Sequence, residues 1–115
     1  GYIRVVTERH QLFVYTMLPA KAPEEARSDA AEYITRANYG LNIGNFEMDY
    51  EDGEVRYKSS IDFEDEILTK AWVRNTTYPA FLTMDRYLPG FMSVIYGGVA
   101  PAEAIAAIEN PEPQG

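Results

Sequence analysis

Hydrophobic and polar positions alternate most regularly between residues 46 and 61, a pattern that predicts a β-hairpin with one apolar face. Asp52-Gly53 suits the centre of a tight type I′ turn, since both central positions need positive φ. Counting outward from that turn, Asp49 faces Arg56 and Glu47 faces Lys58 on a charged side. The opposite, apolar side would carry Phe46, Met48, Tyr50, Val55, Tyr57 and Ile61. We therefore expect an antiparallel sheet whose apolar face is covered by helices.

A second hairpin and a helix are predicted before this one. Residues 2–7 and 12–18 are rich in β-branched and aromatic side chains, and polar residues separate them. Pro23 suits the first turn of a helix that runs to about Asn38, with Gly40 as its stop. One narrow stripe of that helix is apolar and would face the sheet: Ala26, Ala30, Tyr33, Ile34 and Ala37.

A helical pattern returns after Thr69, a plausible N-cap, and continues to Tyr96. Proline removes a backbone donor and clashes with the preceding turn, so we expect a break near Tyr78, before Pro79, and a kink near Pro89. The predicted core face of this helix consists of Phe81, Met84, Leu88, Phe91, Met92 and Ile95.

These elements predict one α+β domain over residues 1–109, followed by a disordered tail over residues 110–115. The expected architecture is an antiparallel sheet of two hairpins, with about four or five strands, packed on one face by helices. A short helix over residues 102–109 would close it. Because the chain opens on Gly1 and reads as strand almost at once, we expect a truncated N-terminus.

Composition limits the classes of partner. Eighteen acidic against ten basic side chains give a net charge of −8, which argues against nucleic acid or an anionic membrane surface as the main partner. The chain contains no cysteine, so disulfides, thiol catalysis and thiolate metal sites are excluded. We see no apolar run long enough for a membrane span and no signal peptide, and we expect a cytoplasmic protein.

The sequence offers little catalytic or metal-binding chemistry. His10 is the only histidine, which excludes a multi-histidine metal site and a His-based triad. The acids between Glu47 and Glu54 suggest calcium, but Gly53 does not occupy the sixth position of a calcium loop begun from any of them. Cross-strand pairing and a solvated turn explain these acids better. We predict no metal, no cofactor and no catalytic residue.

Two charges in the last long helix are the main binding candidates. Asp85 and Arg86 interrupt an apolar pattern just before Tyr87, and Arg36 could pair with Asp85. A structural ion pair or a solvated helix face would explain the same charges. If they do bind a ligand, the predicted site comprises Arg36, Asn38, Tyr39, Asp85, Arg86 and Tyr87.

Three segments carry a family resemblance: TRANYGL at residues 35–41, GNFEMDYEDGEVRYK at residues 44–58 and TMDRYLPGFMSVIYG at residues 83–97. They resemble cyanobacterial YbjN-type domains, and the resemblance spans nearly the whole chain. It implies a role in bacterial sensory-transduction regulation and a fold similar to that of type III secretion chaperones. The chain departs from that family at Pro79, where the family helix is uninterrupted, and at its start, where the fold has an extra helix.

The resemblance and the missing catalytic set together predict a non-catalytic protein-interaction or regulatory module, a homodimer that binds a partner polypeptide. Fold similarity is a weak warrant for function, so two alternatives stay open. One is a sensor of a small molecule or peptide with a pocket near Arg36 and Asp85. The other is a hydrolase that uses carboxylates.

Overall fold

The computed structural model describes residues 3–8, 11–62 and 69–110 and has an α+β fold. In these residues four antiparallel strands form one sheet in the order β1-β2-β4-β3, the lower end of the expected number. The strands are β1 (Ile3–Glu8), β2 (Gln11–Met17), β3 (Asn45–Met48) and β4 (Val55–Asp62). The helices are α1 (Arg27–Gly40), which a 3-10 turn (Glu24–Ala26) precedes, α2 (Lys70–Ile95) and α3 (Pro101–Glu109).

The hydrophobic core lies between one face of the sheet and the three helices. Alternate residues of β2 are buried, as the two-residue period of a strand requires. The predicted stripe of the first helix, Ala26 through Ala37, is buried in full and is confirmed. The largest fully buried side chains are Tyr33, Tyr57, Tyr87, Phe46, Phe91, Leu12, Val14 and Val55.

The register predicted for the central hairpin is wrong by two residues. Glu47 lies opposite Arg56, and Met48 opposite Val55, because the strands are joined by a four-residue loop, residues 50–53. A shift of two leaves every strand residue on its predicted face, since side chains alternate with period two. Tyr50 is the exception, because β3 ends before it and its side chain is 58% exposed.

The loop is stabilised by its own polar side chains and by the chain that follows β2. Asp49 and Asp52 accept hydrogen bonds from the backbone N–H groups two residues ahead of each. Gly53 has φ of +79°, and its carbonyl accepts the N–H of Ala22 at 2.8 Å. Arg27 donates to the carbonyls of Ala22 and of two loop residues. These contacts explain why the wider loop replaces the predicted two-residue turn.

Helix α2 is continuous from Lys70 to Ile95, so the predicted break near Tyr78 is wrong. Thr69 caps it as expected, accepting the N–H of Trp72 at 3.1 Å. The predicted core face is confirmed for Met84, Phe91 and Ile95, whereas Phe81 is exposed. The buried residues of α2 begin only at Ala80, and residues 70–79 include no buried side chain.

Several expectations lie outside the described residues. They concern His10, the start of the chain and the tail from residue 111 onward. The side chain of Ile61 is likewise outside the described part.

Candidate functional site

The side chains predicted to bind a ligand have different roles in the structure. Arg36 pairs with Glu32, one turn earlier in α1, with 2.8 Å between Nε and Oε2. It therefore does not form the ion pair predicted with Asp85, which is exposed on α2. Arg86 is also exposed and lies over the Tyr87 ring, with its guanidinium carbon 5.3 Å from the ring centroid.

Asn38 has a structural contact that ties α1 to the sheet. Its side-chain oxygen accepts the N–H of Phe46 at 2.7 Å, and its side-chain nitrogen donates to the Phe46 carbonyl at 3.0 Å. This bidentate contact satisfies the backbone of β3 where the strand begins. Tyr39, the next residue, points away from the body and is 96% exposed.

Tyr87 belongs to a network of buried tyrosines. Tyr33 donates to the Tyr87 carbonyl at 2.8 Å, and the Tyr87 hydroxyl donates to Glu109 Oε2 at 2.7 Å. Burial, together with the hydrogen bond to Glu109, raises the pKa of Tyr87 to about 12. Burial also raises the pKa of Tyr33 well above its ordinary value. The network joins the three helices and leaves the Tyr87 hydroxyl committed to Glu109.

A cleft with both apolar and polar lining lies elsewhere, between β4 and the first half of α2. This cleft has a volume of about 480 Å³. Its lining residues are Ile43, Tyr57, Ser59, Ser60, Trp72, Asn75, Thr76 and Pro79. An indole, a proline ring and an exposed isoleucine supply apolar surface, whereas hydroxyl and amide groups supply hydrogen bonds. The size falls within the range of about 300–1,000 Å³ that is usual for ligand sites.

The cleft exists because β3 is shorter than β4. β3 pairs with β4 only from Val55 to Lys58, whereas β2 pairs with β4 as far as Asp62. Within the described part of the chain, no strand covers the β3 side of β4 beyond Lys58. Residues of an antiparallel strand direct their backbone groups alternately to the two sides. The Glu54 carbonyl accepts the N–H of Asp49, on the β3 side, and the Val55 carbonyl accepts the N–H of Leu18, on the β2 side. Even-numbered residues of β4 therefore direct their backbone groups toward the β3 side. Ser60 is one of them, so its N–H and C=O point to the open side.

Sequence reasoning missed the cleft, although a signal was present. Ser59 is buried on the helix-facing side of β4, and Thr76 faces it from α2, at positions where the amphipathic patterns call for apolar residues. Tyr57 closes the far end, donating to the Ile43 carbonyl at 2.8 Å. Hydroxyl groups at core-facing positions of two elements that pack together indicate a polar pocket rather than a dry core.

A second surface runs along the outside of α2. Arg74, Tyr78, Phe81 and Asp85 follow one another at spacings of four, three and four residues, which places them on one side of a helix. All four are exposed, and Tyr78 and Phe81 are 62% and 43% exposed. Leu82 adjoins them and is 51% exposed. We call Arg74, Tyr78, Phe81 and Asp85 the outer stripe.

Neither a metal centre nor a membrane-spanning helix is found in the described residues. In ranges 3–8, 11–62 and 69–110, no group of three or more histidine, cysteine, aspartate and glutamate side chains is placed to hold a metal ion. None of the helices described there combines the length and the apolar character needed to cross a lipid bilayer.

Comparison of the chain with protein-family models, with curated proteins and with solved structures finds no match.

Proposed function

We propose that this protein is a non-catalytic interaction module that binds an extended segment of a partner polypeptide in the cleft between β4 and α2. The observation that carries the proposal is the open side of β4 at Ser60, where no strand of the described residues pairs with the backbone and an apolar wall lies alongside. An extended segment that lies along such an edge pairs with its backbone groups, and neighbouring pockets select its side chains.

The chemistry of the cleft supports binding rather than catalysis. Its described lining includes no carboxylate, histidine or lysine, and the Tyr57 hydroxyl is already bonded to the Ile43 carbonyl. Each backbone hydrogen bond at the edge contributes only about 0.5–1.5 kcal/mol net. Most of the affinity would therefore come from apolar contacts with Trp72 and Ile43. The proposal also includes a role in sensory-transduction regulation and a chaperone-like fold. Both rest on the YbjN resemblance.

Ser60→Pro is the decisive variant, because proline has no N–H to donate to an added strand. The N–H of Ser60 faces away from β2, so the variant leaves the β2–β4 ladder intact. Ser60→Ala is the matched control, since it removes the hydroxyl and keeps the N–H. Peptides would be selected from a random displayed library, and their binding followed by the fluorescence of Trp72, the only tryptophan of the chain. We expect binding to be lost in Ser60→Pro and kept in Ser60→Ala.

Unchanged peptide affinity in a folded Ser60→Pro protein would contradict strand addition. If that variant does not fold, Ile43→Glu tests the same site from the exposed loop, and it should also abolish binding. A library that yields no peptide whose binding changes the fluorescence of Trp72 would count against the proposal as well.

A small-molecule or peptide-ligand sensor is the second candidate, and the volume and mixed lining of the cleft favour it. This site differs from the predicted one, since Arg36 and Asp85 do not line the cleft. A thermal-shift screen distinguishes the two functions. Stabilisation by a small molecule that is lost in Trp72→Ala and kept in Ser60→Pro would support the sensor.

A further inference from the structure

The outer stripe of α2 carries apolar side chains at its centre and opposite charges at its ends. Tyr78 and Phe81 lie between Arg74 on one side and Asp85 on the other. Neither charge has an ion-pair partner among the described residues, whereas Arg36, Arg56, Lys58 and Lys21 all do. An exposed aromatic pair flanked by uncommitted charges of both signs is typical of a contact surface.

The stripe is complementary to itself in one orientation. Arg74 lies five residues before Pro79, and Asp85 lies five residues after Ala80. The middle of the stripe is therefore between Pro79 and Ala80. A two-fold axis at that point would run a second α2 antiparallel to the first. Arg74 then faces Asp85 of the second copy, and Tyr78 faces Phe81 of the second copy. The symmetry makes each of these pairs occur twice.

The parallel arrangement is disfavoured by the same charges. It would place Arg74 against Arg74 and Asp85 against Asp85, and like charges in contact destabilise an interface. For two copies of α2, the charge order along the helix therefore favours the antiparallel direction.

We propose that two copies of this chain associate through the outer stripe, with their α2 helices antiparallel and crossing near Pro79 and Ala80. This interface gives a specific surface to the homodimer that the YbjN resemblance implies. None of the four stripe residues lines the cleft. In the dimer, Asp85 is an intermolecular partner of Arg74 and has no part in a pocket with Arg36.

Charge reversal tests the pairing directly. Arg74→Glu places two acids opposite each other in its own dimer, and Asp85→Arg places two bases opposite each other. Either variant alone should weaken association by about tenfold or more. When the two variants are mixed, the new glutamate of one faces the new arginine of the other, and the native Asp85 faces the native Arg74. The mixture should form a heterodimer of nearly wild-type affinity.

Sedimentation velocity over a range of concentrations measures these equilibria. Arg86→Glu is the matched control, since it makes the same charge change on the same helix but about 100° around its axis from Asp85. We expect wild-type association in that control. Ser60→Pro should also dimerise like the wild type, so failure of the dimer and failure of cleft binding would be separate results.

Three outcomes would overturn the proposal. The first is a wild-type protein that stays monomeric at all concentrations, which would leave the stripe to a different partner. The second is a pair of single variants that dimerise as tightly as the wild type. The third is a mixture in which each variant remains apart.

Discussion

The packing of Tyr33 against Gly90 predicts that a glycine-to-alanine change in this helix destabilises the protein, which is the reverse of its usual effect. Alanine is ordinarily better than glycine inside a helix by about 1 kcal/mol. At Gly90, however, an added Cβ would stand 2.0 Å from Tyr33 Oη and 2.6 Å from Tyr33 Cζ. Tyr33 is fully buried beside the rings of Tyr87 and Phe91, which leave it little room to swing aside. We expect Gly90→Ala to destabilise the protein instead.

The size of the effect follows from the contacts that must change. Forcing a methyl group into a filled core costs about 1–3 kcal/mol. Displacing Tyr33 also disrupts its hydrogen bond to the Tyr87 carbonyl, which contributes about 1 kcal/mol. After the propensity gain is offset, the free energy of unfolding should fall by roughly 1–3 kcal/mol. For a domain of this size, Tm should drop by roughly 4–12 °C.

Urea unfolding followed by far-ultraviolet circular dichroism and by Trp72 fluorescence measures this loss. Gly40→Ala is the comparison variant, because its Cβ would meet only the side chain of Glu109, whose nearest atom lies at 3.0 Å. A small shift of that carboxylate weakens at most its hydrogen bond with Tyr87, so we expect a loss of no more than about 1 kcal/mol. In a Tyr33→Phe background the hydroxyl is gone, so the penalty of Gly90→Ala should shrink. A Gly90→Ala protein as stable as the wild type would refute the close packing of Tyr33 on this glycine.

Three further changes probe the loop, the charged sheet face and the tyrosine network. Gly53→Ala should cost roughly 1–3 kcal/mol of unfolding free energy in urea titrations, because φ is +79° and a neighbouring carbonyl lies 2.0 Å from the added Cβ; a neutral result would contradict the loop docking. Burial raises the pKa of Glu47, but the hydrogen bond and charge of Arg56 outweigh it and leave that pKa below its usual value. The stabilisation is present above the unfolded pKa and lost as pH falls through the folded pKa, so Glu47→Gln should flatten the acid side of a Tm-against-pH curve. The folded pKa of Tyr87, about 12, lies above its unfolded value, so its stabilisation is present below pH 10 and lost as pH rises toward 12. Tyr87→Phe should reduce the alkaline loss of Tm, and an unchanged alkaline slope would contradict the burial of this phenol.

The hairpin shows how much of the fold the sequence could predict. The faces of β3 and β4 followed from alternation, and they survived a two-residue error in register because the side-chain period is two. The loop length could not be predicted locally. Gly53 packs against Ala22, and Arg27 binds carbonyls of the loop, so the loop is fixed by residues far away in sequence.

Helix α2 shows the same division between local and tertiary information. Thr69 as its N-cap and the core face from Met84 onward were predictable from capping and periodicity. Its continuity through Pro79 was not, because proline propensity alone favours a break. The side of the helix that carries Phe81 was also misassigned, since exposure depends on how far the sheet extends beneath the helix.

The candidate site was the least predictable feature. Charges within an apolar pattern directed attention to Asp85 and Arg36, which the structure places on different helices without an ion pair between them. The cleft depends on the difference in length between β3 and β4, a property of strand pairing that no local pattern contains. Only the hydroxyl groups at core-facing positions, such as Ser59 and Thr76, indicated it in advance.

The first half of α2, residues 70–79, has side chains that are at most partly buried, and this has a consequence for hydrogen exchange. Within it, the hydroxyl of Thr77 is buried without a described hydrogen-bond partner, so the packing there stabilises the helix weakly. Backbone amides of the first half should therefore exchange with deuterium through local opening, whereas those after Ala80 wait for global unfolding. Helix α2 is then continuous in geometry, but its two halves differ in stability. A ligand bound in the cleft would slow hydrogen exchange in residues 70–79 alone.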